Sequence, residues 1–102
     1  MADDVLRRLT AWYAAQCDGD WEHGLGVDIG TLDNPGWRVR VNLEGTALEG
    51  RERERSEVHR TEDDWVVTWL EGGSFHAACG PFNLEEALTA FLEWAADAPV
   101  SG

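Results

Sequence analysis

The distribution of apolar residues predicts a helix near each end of the chain. The first stripe has the spacing of an amphipathic helix over Asp3–Gln16 and consists of Val5, Leu6, Leu9, Trp12 and Tyr13. Gly19 follows it and can take the left-handed backbone that ends a helix. The second stripe predicts a helix from about residue 84 and consists of Leu84, Ala87, Leu88, Phe91, Leu92 and Ala95.

Local signals indicate where the second helix begins and ends. Asn83 and Glu86 have the spacing of a capping box, and Phe82 is placed to pack on the first turn as a hydrophobic staple. Pro99 is expected to end this helix. Trp94 departs from the apolar stripe, so we expect it on an exposed helix edge, where it is a candidate contact residue.

Between the two helices, apolar and polar residues alternate with a period of two, which is typical of strands with one buried face. The four clearest segments are 25–30, 37–43, 65–70 and Ser74–Cys79. The sequence Asp33-Asn34-Pro35-Gly36 predicts a type II turn in which Gly36 takes a positive φ. The charged stretch 51–60 fits a helix or a solvated strand, and its alternating Arg and Glu residues favour the strand.

These elements predict one α+β domain over residues 1–102. We expect an N-terminal helix, a four- to five-stranded antiparallel sheet and a C-terminal helix, with both helices packed on one sheet face. The chain has six tryptophans, which argues against disorder, and most of them are expected in the core. Trp37 is expected to be largely buried against Leu25, Val27 or Ile29. His76 alternates with apolar neighbours and is expected to face away from the core.

Charge narrows the possible partners. The chain carries 20 acidic and 8 basic residues, a net charge of −12, which disfavours nucleic-acid binding and suits a basic partner. The apolar runs are too short for a membrane helix, and the N-terminus lacks the apolar core of a secretory signal. We therefore expect a cytoplasmic protein with reduced Cys17 and Cys79, a disulfide between them being the alternative.

The densest polar cluster lies between the first helix and the first strand, at residues 18–23. Its side chains allow three interpretations: hydrogen bonds that fold a loop, contacts with a partner, or metal binding and acid–base catalysis. The calcium-loop pattern fails, because His23 stands at its invariant glycine position. The sequence has no nucleophile, phosphate-binding or dinucleotide motif. We therefore expect no catalytic residues, no metal and no cofactor.

Several longer motifs resemble those of the immunity protein 53 family. They are Trp12-Tyr13, CDGDWEH at 17–23, TLDNPGW at 31–37, NLEGT at 42–46, Gly80-Pro81 and NLEE at 83–86. The resemblance implies an α+β protein encoded beside a toxin gene in a bacterial polymorphic toxin system. Such a protein binds the toxin and protects the producing cell, and the family supplies no catalytic residues.

The sequence and the resemblance together predict stoichiometric inhibition of a basic toxin, such as a nuclease, by a monomer or weak homodimer. The candidate toxin-binding residues are Asp18, Asp20, Glu22, His23, Asp33 and Asn34. We expect the 18–23 segment and the turn at Asp33 to lie near each other and form one acidic patch. The stretch 51–60 together with Trp94 is the alternative surface.

Two other functions stay open at this point. One is a small enzyme that uses the Asp18, Asp20, Glu22 and His23 side chains. The other is a regulatory binding module whose partner is not a toxin.

Overall fold

The computed structural model describes residues 3–96 of the chain. The elements of this part are α1 (Asp3–Gln16), α2 (Trp21–Gly24), β1 (Val27–Leu32), β2 (Gly36–Asn42), β3 (Ser56–Thr61), β4 (Asp64–Glu71), β5 (Ser74–Cys79) and α3 (Leu84–Ala96). The predicted α+β fold, with a helix at each end of an antiparallel sheet, is confirmed. The predicted end of the last helix at Pro99 lies outside the described residues.

The five strands form one sheet in the order β1-β2-β5-β4-β3. All neighbouring strands are antiparallel. Strand β2 pairs with β5, which is distant in sequence, and this pairing places Trp37 opposite Cys79 and Asn42 opposite Ser74. The beginning of β2 therefore lies beside the end of β5. This pairing brings the segments that precede β2 and follow β5 to the same end of the sheet.

One face of the sheet is covered by α1 and α3, and the core lies between these helices and the sheet. Strand alternation places the apolar side chains of β2, β4 and β5 on this face. The buried cluster contains Val39, Val41, Val66, Phe75, Ala77 and Cys79 from the sheet, and Val5, Leu9, Ala87, Leu88, Phe91, Leu92 and Trp94 from the helices. Leu43 and Leu48, in the loop between β2 and β3, complete this core.

The opposite face carries no helix within the described residues, and aromatic rings cover part of it. Trp69 stacks on His76 with ring centroids 5.3 Å apart, and Trp65 stacks on His59 at 6.3 Å. His76 faces away from the core, as predicted. The expectation that most tryptophans are core residues fails for Trp65 and Trp69, because strand alternation places their half-buried rings on this outer face.

The stretch 51–60 becomes a strand from Ser56, and its first arginines turn towards the core. Arg51 donates to the carbonyl oxygen of Trp94 at 3.3 Å and lies over its ring. Arg53 donates to Oγ1 of Thr68 at 2.8 Å, and burial lowers the pKa of its guanidinium. Trp94 is only 8% exposed, so its predicted exposure is wrong. The alternative toxin-binding surface, defined as the stretch 51–60 together with Trp94, therefore lacks an exposed Trp94 ring.

Two predictions for the β1–β2 hairpin need correction. Residues 33–35 form a turn, but Gly36 opens β2 and does not take a positive φ. A Cβ atom at Gly36 would collide with the carbonyl oxygen of Cys79, so glycine is needed here for close backbone approach. Trp37 packs on the core but is half-buried, because it stands at the beginning of β2, at the end of the sheet.

Two further predictions concern the cysteines and the apolar stripe of α1. Cys17 and Cys79 are free thiols, half-buried and buried respectively, so the disulfide alternative does not hold. Leu6 was expected on the apolar stripe of the first helix, but it is 63% exposed. The helix turns only Val5, Leu9 and Trp12 of the predicted stripe towards the core.

Candidate functional site

The acidic 18–23 segment is folded by its own carboxylates. Oδ1 of Asp18 accepts hydrogen bonds from the backbone amides of Asp20 and Trp21, at 3.0 and 2.9 Å. The carboxylate of Glu22 accepts from the amides of Asp18 and Gly19, at 3.0 and 2.9 Å. Asp18 therefore accepts a bond from the first amide of the short helix α2, whose presence the sequence did not predict. The N-cap residue of this helix is Asp20, which makes no side-chain capping bond.

These hydrogen bonds change the protonation of both carboxyl groups. Bonds from the amides of Trp21 and Asp20 lower the pKa of Asp18. The amides of Glu22 itself, Asp18 and Gly19 lower the pKa of Glu22. A carboxyl group that is held ionised in this way is a poor proton donor at neutral pH. The structure therefore favours the loop-folding interpretation for Asp18 and Glu22.

Trp21 anchors this segment at the far end of β2. Trp21 is 5% exposed, in line with the expectation that most tryptophans lie in the core, and its Nε1 donates to the carbonyl oxygen of Glu44 at 3.0 Å. Asp20 and His23 are exposed beside it. These two side chains are the members of the segment that remain available to a partner.

The other predicted site residues, Asp33 and Asn34, lie at the opposite end of the β1–β2 hairpin. The 18–23 segment precedes β1 and contacts the loop that follows β2, whereas the 33–35 turn lies between the two strands. The seven residues of β2 separate the two segments, a distance of about 20 Å in an extended strand. The expectation that the two segments form one patch is therefore wrong.

Three loops meet at the end of the sheet that holds Asp33, and we call this region the Phe82 end. It consists of the 33–35 turn, the 62–63 turn and the 80–83 loop. Gly36 packs against the carbonyl oxygen of Cys79, and Gly80 packs against that of Asp63, so closely that neither glycine has room for a Cβ atom. Two glycine contacts thus join all three loops.

A hydrogen-bond network around Asn83 holds the loops to the start of α3. The Nδ2 group of Asn83 donates to Oδ1 of Asp64 at 2.9 Å and to Oε1 of Glu86 at 3.0 Å. Arg60 donates to the same two carboxylates. These bonds, first from Arg60 and then from Asn83, lower the pKa of both Asp64 and Glu86, and the two acids raise that of Arg60.

This network differs from the predicted helix cap. The helix begins directly after Asn83, as expected, but the Oδ1 atom of Asn83 accepts from the amide of Trp65 in β4, at 3.4 Å. Glu86 contacts the side chain of Asn83 rather than forming the reciprocal backbone bond of a capping box. Phe82 is 91% exposed, so the predicted hydrophobic staple is wrong.

Comparison with known families connects this fold to a biological context. The model of a family described as Immunity protein 53 matches residues 6–96. The chain belongs to the immunity protein 53 family. No curated protein and no solved structure matches the chain significantly.

Three observations on this immunity protein 53 member concern metal binding, nucleophilic catalysis and membrane insertion. Within residues 3–96, no group of three or more His, Cys, Asp and Glu side chains could hold a metal ion. Burial raises the pKa of the Cys79 thiol, which disfavours the thiolate that a nucleophile requires. In the described part of the chain, no helix has the length and apolar character needed to span a membrane.

Proposed function

We propose that this chain is an immunity protein that binds a cognate toxin and neutralises it stoichiometrically, without turnover. The observation that carries the proposal is the match of the immunity protein 53 model to residues 6–96. The geometry of the 18–23 segment argues against the enzyme alternative, because Asp18 and Glu22 are engaged with backbone amides. The polymorphic toxin system and the bacterial cytoplasm are the setting that we propose for this activity.

The proposed toxin is a basic protein, and a nuclease is the class that best fits the charge. A net charge of −12 on 102 residues attracts a basic protein over a distance and increases the rate of encounter. Enzymes that act on nucleic acids carry basic surfaces for their substrate. An acidic inhibitor that covers such a surface would compete directly with the phosphate backbone.

We assign the toxin contact to Asp33 and Asn34 first, and to Asp20 and His23 as a separate second region. All four side chains are exposed. Asp18 and Glu22 support the second region through the backbone and would act on the toxin only indirectly. Because the two regions lie at opposite ends of β2, one small toxin domain need not contact both.

Co-expression tests this proposal. The protein encoded by the gene next to that of this chain is expressed with and without the chain, and growth is recorded. We expect growth arrest without the chain, rescue with it, and co-purification at a ratio near one to one. Rescue without a physical complex would contradict inhibition by binding.

A further inference from the structure

We propose that the Phe82 end is a docking surface for a basic protein, with the Phe82 ring as its apolar anchor. The ring would enter an apolar pocket of the partner, and Lys or Arg side chains around that pocket would face the acids of the three loops. The identity of the partner as the cognate toxin rests on the proposed function. The surface itself is argued from Phe82, its support and its surrounding charge.

Phe82 is the most exposed large apolar side chain of the described residues. It is 91% exposed, whereas Tyr13, Ile29 and Val58 are less than half as exposed. The helix start offers a place for this ring as a staple, and the ring does not occupy it. An aromatic ring held in water loses the free energy that burial would provide, and aromatic residues are frequent anchors of protein interfaces.

The backbone beneath Phe82 is held in place on both sides. Before it, the carbonyl oxygen of Pro81 accepts from Nε1 of Trp37 at 3.0 Å, and the amide of Gly80 donates to Trp65 at 2.9 Å. After it, Asn83 is buried and bonded to Asp64 and Glu86. A ring presented on a fixed loop loses little conformational entropy on binding, which favours its use as an anchor.

The charge around the ring determines what kind of partner fits. Six carboxylates and one guanidinium belong to these loops and to the ends of the elements beside them: Asp33, Glu62, Asp63, Asp64, Glu85, Glu86 and Arg60. Arg60 pairs with Asp64 and Glu86. Within the described residues, the other four acids form no ion pair, and all four are exposed.

A depression of about 420 Å³ lies beside the ring and has acidic walls. Phe82, Arg60, Asp63, Asp64 and Glu86 are among its lining residues. It is large enough for a Lys or Arg side chain from a partner. The positive charge of that side chain would pair with the carboxylate of Asp63. The ring and the depression together offer an apolar contact and a cation site on one surface.

A basic protein fits this surface better than the other possible occupants. Nucleic acid would be repelled by the uncompensated carboxylates. A second copy of the chain, docked symmetrically, would bring the same acids face to face. A basic partner would have its charge matched and would also bury Phe82.

The test measures binding to the purified protein encoded by the neighbouring toxin gene, used in a catalytically inactive form. The variants are Phe82→Ala and Asp63→Arg. Their matched controls are Leu6→Ala and Glu93→Arg, which change an exposed apolar residue and an exposed acid outside the Phe82 end and outside the two proposed contact regions. Because all four side chains are exposed, we expect all four variants to keep the wild-type melting temperature. We expect Phe82→Ala to raise the Kd by about tenfold or more and Leu6→Ala by less than about twofold.

Charge reversal at Asp63 tests whether the partner is a basic protein. We expect Asp63→Arg to slow association more than Glu93→Arg does, with an effect that shrinks as salt rises. Wild-type affinity in Phe82→Ala would overturn the anchor and leave the proposed function standing. An unchanged association rate in Asp63→Arg at low salt would overturn the basic occupant. Failure of the wild-type chain itself to bind or protect would instead overturn the proposed function, and the inferred partner with it.

Discussion

The indole Nε1 of Trp37 donates a hydrogen bond to the carbonyl oxygen of Pro81, 3.0 Å away. This bond joins the start of β2 to the loop that carries Phe82, across a separation of 44 residues in sequence. It explains why Trp37 stays half-buried: the ring reaches the end of the sheet with its polar atom and packs on the core with the rest. Tryptophan at this position therefore supports the loop as well as the core.

Replacing Trp37 by phenylalanine should weaken this support. The variant loses one hydrogen bond and part of the ring, and we expect the free energy of unfolding to fall by about 1–2 kcal/mol. Trp65→Phe is the matched control on the outer sheet face, and its loss should be smaller. Urea unfolding of both variants measures the difference, and equal losses would show that the bond to Pro81 does not support the loop.

Adding a methyl group at Gly36 should destabilise the protein, whereas adding one at Gly30 should not. At Gly36 the new Cβ would meet the backbone of Cys79, which cannot move aside, so we expect Gly36→Ala to cost about 1–3 kcal/mol. At Gly30 it would meet only the far end of the flexible Arg38 side chain. Thermal unfolding of the two alanine variants compares them; a stable Gly36→Ala would contradict the close approach of the two strands.

Asp18 should be important for folding and not only for charge. Removal of its carboxylate leaves the amides of Asp20 and Trp21 without their acceptor, so Asp18→Ala should lower the melting temperature. Asp20→Ala removes the same charge from an exposed side chain and should have little effect. Circular dichroism during heating separates the two cases, and equal melting temperatures would show that the two bonds to Asp18 contribute nothing to stability.

Acid should destabilise the protein through the Arg60 cluster. The pKa values of Asp64 and Glu86 lie below their ordinary 3.8 and 4.5, so both groups bind protons more readily after unfolding. Their contribution is present above those ordinary values and is lost as the pH falls through the lowered ones. We expect Arg60→Gln to reduce this loss below about pH 4.5, and Arg38→Gln, whose pair with Asp28 spans 3.6 Å, to change it less. Melting temperatures between pH 3 and pH 7 provide the measurement.

The elements of the fold follow from local patterns, but their arrangement depends on distant contacts. The sequence predicts Ser74–Cys79 with the bounds that the structure gives, because Phe75, Ala77 and Cys79 alternate along it and Gly80-Pro81 ends the pattern. The pairing of β2 with β5 leaves no comparable local signal. Trp94 shows the same limit: its helical position indicates an edge, but contacts with Phe75 in β5 and with Arg51 from a distant loop bury it.

The candidate site shows why a charge pattern alone does not identify an interface. Asp18 and Asp20 are the same type of residue and lie two positions apart. Asp18 accepts two hydrogen bonds from backbone amides, whereas the side chain of Asp20 is exposed and makes no such bond. Conversely, the position of Phe82 directly before Asn83 predicts a hydrophobic staple. Its exposure follows from the way Asn83 turns towards β4, which no local motif indicates.

The most direct test of the central claim is a titration of the purified toxin with the chain, followed by the mass of the resulting species. Inhibition by binding predicts that toxicity falls in proportion to the chain added and ends near one equivalent. The toxin would then migrate as a complex with its covalent mass unchanged. Loss of toxicity at a small fraction of an equivalent, with a chemically altered toxin and no complex, would contradict the account and indicate an enzyme.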